Sequence, residues 1–240
     1  MIAGEETSET FSVAVLAGGM SRRMGVDKAL LTLREGGPPL LQLVLERVRP
    51  LTDDCFVVAA DRPAYAQFGV RVVPDARPGR GPLGGIATAL AAARDEFVLV
   101  VACDMPLLSL PLLRFMGGVA RDYEALVPAL ADASARGGKL TYQPLHAIYA
   151  RRCLGPIERR LAAGQLAVIG LFDDVQTRVL DEATVRRFDP ELKSFVNANT
   201  PVDVAAARLL LEAGAGTNAG RPASPILDRV KAVNRKDDHD

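Results

Sequence analysis

The chain has 240 residues, enough for one large domain or two small ones, and 49% of them are hydrophobic, which supports a substantial core and excludes a disordered chain. Lysine plus arginine equals aspartate plus glutamate at 29 each. A protein built on nucleic-acid phosphates carries a net basic surface, so positive charge here must be local, as a small anionic ligand requires.

The first residues are acidic where a signal peptide is basic, and residues 1–11 read as a mobile extension. Residues 13–17 form an apolar run that predicts a short buried strand, stopped abruptly by Gly18 and Gly19. Spacing near 3.6 predicts a helix over 39–48, followed by a buried strand at 56–60 and a short one at 70–73 that ends at Pro74-Asp75. A loop over 76–82 leads into an alanine-rich helix at 83–94. Residues 97–102 are an unbroken apolar run, which suits a strand covered on both faces. The longer apolar stretch to Leu113 is interrupted by Asp104, Pro106 and Pro111, so it is not a membrane span. Ser109-Leu110-Pro111 opens a helix over 110–120. Strands are expected at 123–128 and 143–150, helices at 152–163 and 202–212, and a polar loop at 132–139. From Ala213 the composition shifts to Gly, Ala, Asn and Pro, and a loosely docked tail is expected with room for a helix at 226–233.

Alternating strands and helices predict an α/β fold: a doubly wound, mostly parallel sheet with helices on both faces. The expected organisation is one domain over 12–212, between the extension 1–11 and the tail 213–240. Cys55, Cys103 and Cys153 are far apart and form no C-x-x-C pair, which argues against a disulfide framework or zinc site and fits a cytoplasmic protein.

Four segments carry chemistry. The first is Leu16-Ala17-Gly18-Gly19-Met20-Ser21-Arg22-Arg23-Met24-Gly25-Val26-Asp27-Lys28. A strand that ends in a glycine turn exposes N–H groups on which a nucleotide phosphate can sit. The turn lacks G-K-[ST] and G-x-G-x-x-G, so it is neither a Walker A loop nor a dinucleotide fingerprint. Arginine grips phosphate oxygens through its fork and lysine acts as a point charge; Arg22 reads equally as a solvated surface charge. The second is Cys103-Asp104-Met105-Pro106, an aspartate closing an apolar strand. Beyond the carboxyl end of such a strand it can hold Mg²⁺ with substrate phosphates, or it can simply cap the turn before Pro106. The third joins Asp75, Arg77, Arg80 and the segment from Gly81 to Ile86, which fits either a close-approach loop around a ligand or an ordinary surface loop. A fourth segment, Phe195-Val196-Asn197-Ala198-Asn199-Thr200-Pro201, combines helix-start chemistry at Thr200-Pro201 with two amides, Asn197 and Asn199, able to bind metal or phosphate.

Taken together, these segments resemble the molybdenum cofactor guanylyltransferases, members of the Rossmann-like nucleotidyltransferases. The likeness covers about residues 12–212, with its specific motifs in the first half. The resemblance implies transfer of GMP from GTP to the phosphate of molybdopterin, with release of pyrophosphate. It places Lys28, Arg23 and Asp104 in catalysis, with Mg²⁺ held by Asp104. Substrate contacts are implied for Leu16, Ala17, Gly18, Gly19, Lys28, Asp75, Gly81, Asp104, Asn197 and Asn199. Arg77 and Arg80 are expected near the phosphates or the acceptor. GTP and molybdopterin are the implied partners, with no nucleic acid or membrane, and with room for transient contact with molybdoenzyme maturation proteins. Two alternatives remain: a cytidylyltransferase or sugar-phosphate nucleotidyltransferase on the same scaffold, and a nucleotide-binding module without catalysis. The chain also departs from the pattern. Ala59-Ala60-Asp61 stands where some relatives place an asparagine near the guanine, and His146 reads as a satisfied core histidine.

Overall fold

The computed structural model describes residues 10–17, 27–60, 63–131 and 140–215. The extension before residue 10, the loop expected at 132–139 and the helix expected at 226–233 lie outside the described residues. Strand β1 (Ser12–Leu16) places Val13 and Val15 in one hydrophobic core and Ala14 in another, as the period-two alternation of a strand buried on both faces requires. Helix α1 (Leu40–Val48) buries Leu41, Val44, Leu45 and Val48 along one stripe. Strands β2 (Cys55–Ala59) and β3 (Arg71–Pro74) follow, then α2 (Gly81–Ala92), β4 (Phe97–Ala102) and α3 (Leu110–Gly117). Ser109 starts α3 as expected, its hydroxyl accepting from the Leu112 amide at 3.4 Å. The helix stops three residues earlier than expected, at the Gly117-Gly118 pair, where the Gly118 amide donates to the Arg114 carbonyl.

Strands β3, β2, β1 and β4 lie side by side in that order, all parallel. The chain leaves β1 toward β2 and β3, then crosses through α2 to pair β4 on the other side of β1. The switch in winding direction therefore falls between β1 and β4, where an open α/β sheet gathers its ligands. Helices α1 and α3 cover one face, and α2 covers the other together with α4 (Leu154–Ala162).

The second half adds β5 (Ala125–Ala131), β6 (Leu140–Tyr142), β7 (His146–Ala150) and, after α4, β8 (Thr177–Leu180), α5 (Glu182–Arg186) and α6 (Pro201–Ala215). Here β7 runs antiparallel to β4, and β5 runs antiparallel to both β7 and β6, while β8 lies parallel to β5. The result is an eight-stranded, mixed and mostly parallel sheet flanked by helices, a doubly wound α/β fold. The strand expected at 143–150 begins only at His146, because a turn at Pro144 intervenes and the His146 amide donates to the Gln143 carbonyl at 3.0 Å. Phe11, just ahead of β1, is buried in the core. Among the described residues no helix is long and apolar enough to cross a membrane.

Buried Asp54 ties the sheet together at the amino end of β2. Its carboxylate accepts from the Ser12 hydroxyl at 2.7 Å, the Arg94 amide at 2.9 Å and the Arg71 guanidinium at 2.8 Å. Burial alone would raise its pKa, but those three donors hold it below the ordinary carboxylate value.

Candidate active site

At the carboxyl rim of the sheet, backbone bonds lock three strands together. The Cys103 amide donates to the Leu16 carbonyl at 3.0 Å, and the Ala17 amide to the Val58 carbonyl at 2.9 Å. A cavity of about 600 Å³ opens against this rim, a volume suited to a nucleotide-sized ligand. Leu16, Val58 and Ala102 line it from the sheet, Lys28 and Asp104 supply charge, and the loop that carries Asp75, Pro78 and Gly81 forms a wall.

Lys28 opens a single 3-10 turn, Lys28–Leu30, capped by Asp27, whose Oδ1 accepts from the Ala29 amide at 3.1 Å. The Tyr65 hydroxyl, fully buried, lies 2.9 Å from Asp27 Oδ2 and braces the turn from below. From there the lysine Nζ reaches 3.6 Å from Asp104 Oδ2 and donates to Asn199 Oδ1. Asp104 in turn accepts, through its carbonyl, the Ala198 amide at 2.8 Å. The segment before α6 is thereby docked on the end of β4. Burial pushes the Asp104 carboxyl upward, and the Lys28 ammonium opposes that shift without cancelling it. Both side chains stay partly exposed, at 24% for Lys28 and 18% for Asp104, so a ligand can reach them.

The loop wall needs its glycines. Gly81 sits at φ +63°, in the left-handed region, as it turns the chain into α2. A Cβ on Gly84 would stand 2.9 Å from the Arg77 carbonyl, so only glycine lets the helix press against the loop.

Five of the expected residues, Leu16, Lys28, Asp75, Gly81 and Asp104, thus line one cavity. Asn199 joins them through Lys28, and Ala17 lies buried at the rim. Asn197 is exposed and outside the lining. Gly18, Gly19, Arg22 and Arg23 lie outside the described residues. The expectation for Arg77 is corrected: its guanidinium pairs with Glu158 of α4 and pins the loop to that helix instead of facing the cavity. Arg80 is exposed. Cys103 is buried, and desolvation drives its thiol pKa far up, so it is an inert neighbour. Sequence reasoning gave no role to Tyr65, because no motif surrounds it and its partner Asp27 lies 38 residues away.

His146 is in the core as expected, but among the described residues it is not satisfied there. It is fully buried, opposite Val101 of β4, with its ring 4.9 Å from that of Phe195. Neither ring nitrogen has a partner among the described residues. Burial pushes its pKa down to about 3. The unfolded chain binds a proton near pH 6.5 and the folded chain does not, so stability falls as pH drops below that value. Between pH 6.5 and pH 4.5 the wild type is expected to lose about 2 kcal/mol more than His146→Leu, read from urea titrations of both proteins across that range. Parallel pH profiles would show that the imidazole finds a proton acceptor in the folded state.

Among the described residues no group of three or more His, Cys, Asp or Glu side chains is placed to hold a metal ion. A single carboxylate at a ligand cavity is nonetheless a donor set that suits Mg²⁺, which keeps waters and takes the rest of its shell from substrate phosphates.

A switch-point cleft with a lysine–aspartate pair at one end and a glycine-bearing loop along its side defines a nucleotide-binding α/β protein of the nucleotidyltransferase class. Residues 13–175 match the family described as the MobA-like NTP transferase domain, and the chain belongs to that family. It is 35% identical over 198 residues to the probable molybdenum cofactor guanylyltransferase of Pelotomaculum thermopropionicum, covering 82% of this chain and 92% of that one. Identity to the molybdenum cofactor guanylyltransferase of Desulfosudis oleivorans is 30% over 201 residues, covering 83% and 95%. The crystal structure of molybdopterin-guanine dinucleotide biosynthesis protein A from Archaeoglobus fulgidus superposes with a TM-score of 0.70 at 27% identity, covering 85% of this chain and all of that one.

Proposed function

We propose that the protein transfers GMP from GTP to the terminal phosphate of molybdopterin. A phosphate oxygen of the pterin attacks the α-phosphorus of GTP, the bond from that phosphorus to the β-phosphate bridging oxygen breaks, and pyrophosphate leaves. A phosphate monoester is already anionic near neutral pH, so no general base is required. Catalysis is positioning and charge stabilisation. The observation that carries this reading is the meeting of Lys28, Asp104 and Asn199 beside one nucleotide-sized cavity at the switch point. Lys28 neutralises charge on the phosphate oxygens, and Asn199 holds its ammonium in place. The likeness to the family supports Arg23 as a second cation and the amides of Gly18 and Gly19 as phosphate contacts. Asp104 would hold Mg²⁺, which supplies Lewis-acid charge stabilisation to the triphosphate when bound. Asp75 and Gly81 meet the nucleoside, and Asn197 is free to contact the acceptor. The proposed setting is the cytoplasm, with transient contact to molybdoenzyme maturation proteins.

Thermal denaturation with GTP, CTP, ATP or UTP, each with Mg²⁺, tests the donor. A ligand that binds only the folded state raises its apparent stability, and at 100 times its Kd the gain is about 2.7 kcal/mol. GTP is expected to give the largest rise in Tm, and pyrophosphate is expected to appear when molybdopterin is added. A larger rise with CTP would instead make the protein a cytidylyltransferase, and binding without pyrophosphate release would make it a non-catalytic module.

A further inference from the structure

Asp75 leaves β3 with its backbone amide still donating to the Ala59 carbonyl of β2 at 2.9 Å, so its Cα is fixed by the sheet. Its side chain is then fixed by one oxygen only. Oδ1 accepts from the Arg77 amide at 2.9 Å and lies 3.0 Å from the Thr88 hydroxyl. Oδ2 has no hydrogen bond among the described residues, and Asp75 lines the cavity. One half of the carboxylate is anchored, and the other half is left without a hydrogen bond among the described residues in a side chain that lines the cavity.

Thr88 is the anchor that does not belong to the loop. It is buried, at 3% exposure, in the second turn of α2. Its hydroxyl accepts from the Ala76 amide at 3.2 Å. Its single proton then goes to Asp75 Oδ1 at 3.0 Å or to the Gly84 carbonyl at 3.1 Å. A helical threonine ordinarily returns that proton to its own i−4 carbonyl. Here the carboxylate competes, and a charged acceptor makes the stronger bond. The loop is held at two further points, the close approach to α2 at Gly84 and the Arg77–Glu158 pair with α4, so its backbone, the Arg77 amide included, stays in place, and Thr88 is the side chain that joins that amide in setting the torsion of the carboxylate.

Asp104 is paired with the Lys28 ammonium, whereas among the described residues Asp75 is bonded only to an amide and a hydroxyl, and a carboxylate without a cation repels a triphosphate and attracts hydroxyl and N–H donors; the Asp75 end of the cavity therefore suits the nucleoside and the Lys28 end the phosphates. We propose that Thr88 is a positioning residue that aims Asp75 Oδ2 at the donor groups of the nucleoside and thereby sets nucleotide affinity. This deepens the nucleotidyltransferase reading and rests on it.

The test is calorimetric titration of GTP with Mg²⁺ into wild type, Thr88→Val, Thr88→Ser, Asp75→Asn and the double variant Thr88→Val/Asp75→Asn, with Tm measured for each. Valine keeps the shape of threonine and removes its proton. Kd for GTP is expected to rise about tenfold in Thr88→Val and to return to within about twofold of wild type in Thr88→Ser. In the Asp75→Asn background the same valine change is expected to cost less than about twofold, since the group it aims is already altered. In turnover assays KM is expected to rise while kcat stays within about twofold. A merely structural threonine would lower Tm while leaving Kd unchanged. Unchanged Kd in Thr88→Val, or full additivity with Asp75→Asn, overturns the inference while wild-type GTP binding stands. Failure of every triphosphate to bind the wild type overturns the nucleotidyltransferase reading, and this inference falls with it.

Discussion

Asp104→Ala is expected to abolish turnover, by at least about 10³-fold, while the protein stays folded. The carboxylate sits at the end of β4, beside the lysine and over the cavity, and among the described residues no cluster of other acidic groups stands ready to replace it. Loss of the side chain removes the group proposed to hold Mg²⁺ and leaves Lys28 without its anionic partner. Folding has little to lose. Burial works against the ionised carboxyl, and the bond that docks the segment before α6 uses the Asp104 carbonyl, which alanine keeps. Tm is therefore expected to stay within a few degrees of wild type. Asp104→Asn, which keeps shape and loses charge, is expected to be equally inactive. Ordinary turnover with an ordinary magnesium dependence in either variant would refute the metal assignment.

The central strands are legible in the sequence because each is an unbroken apolar run closed by a sharp turn. Val13 to Ala17 ends at two glycines, and Phe97 to Ala102 ends at Cys103-Asp104. Strand β6 is not legible: three residues, with Leu140 half exposed, are too few to show a period. Strand β8 is one residue longer and equally short of signal. The turn at Pro144 that shortens β7 was readable in principle, since proline lacks the N–H a ladder needs, but the apolar residues after it blurred the boundary.

The site is legible in its parts and not in its joints. Lys28 and Asn199 are 171 residues apart, and no local pattern encodes the bond between them. Arg77 illustrates the reverse error: a cation beside a ligand loop reads as a phosphate contact until Glu158 of α4, 81 residues on, takes it away. His146 shows a third limit. Burial follows from its apolar neighbours Leu145 and Ala147, but whether a buried ring finds partners depends on what packs over it, and that is settled by Phe195 from the far end of the chain.

Lys28→Ala is expected to cut kcat by about 10²–10³, the cost of removing one preorganised electrostatic donor from developing charge. The lysine is prepared for that role by three fixed neighbours. Asp27 caps its turn, Tyr65 braces Asp27, and Asn199 accepts from the ammonium, so the charge is placed before substrate arrives. Alanine removes the charge and the reason for Asn199 to hold its place, yet the turn itself, capped by Asp27, remains. Lys28→Arg is expected to recover less than a tenth of the lost rate, because a planar fork cannot occupy the point at which the ammonium meets Asp104 and Asn199 together. Kd for GTP is expected to rise much less than kcat falls in Lys28→Ala, since the charge it answers grows in the transition state. Single-turnover kinetics at saturating GTP separates the two effects. A tenfold or smaller loss in that measurement would mean that Lys28 tunes affinity and that the work of the chemical step lies elsewhere in the cleft.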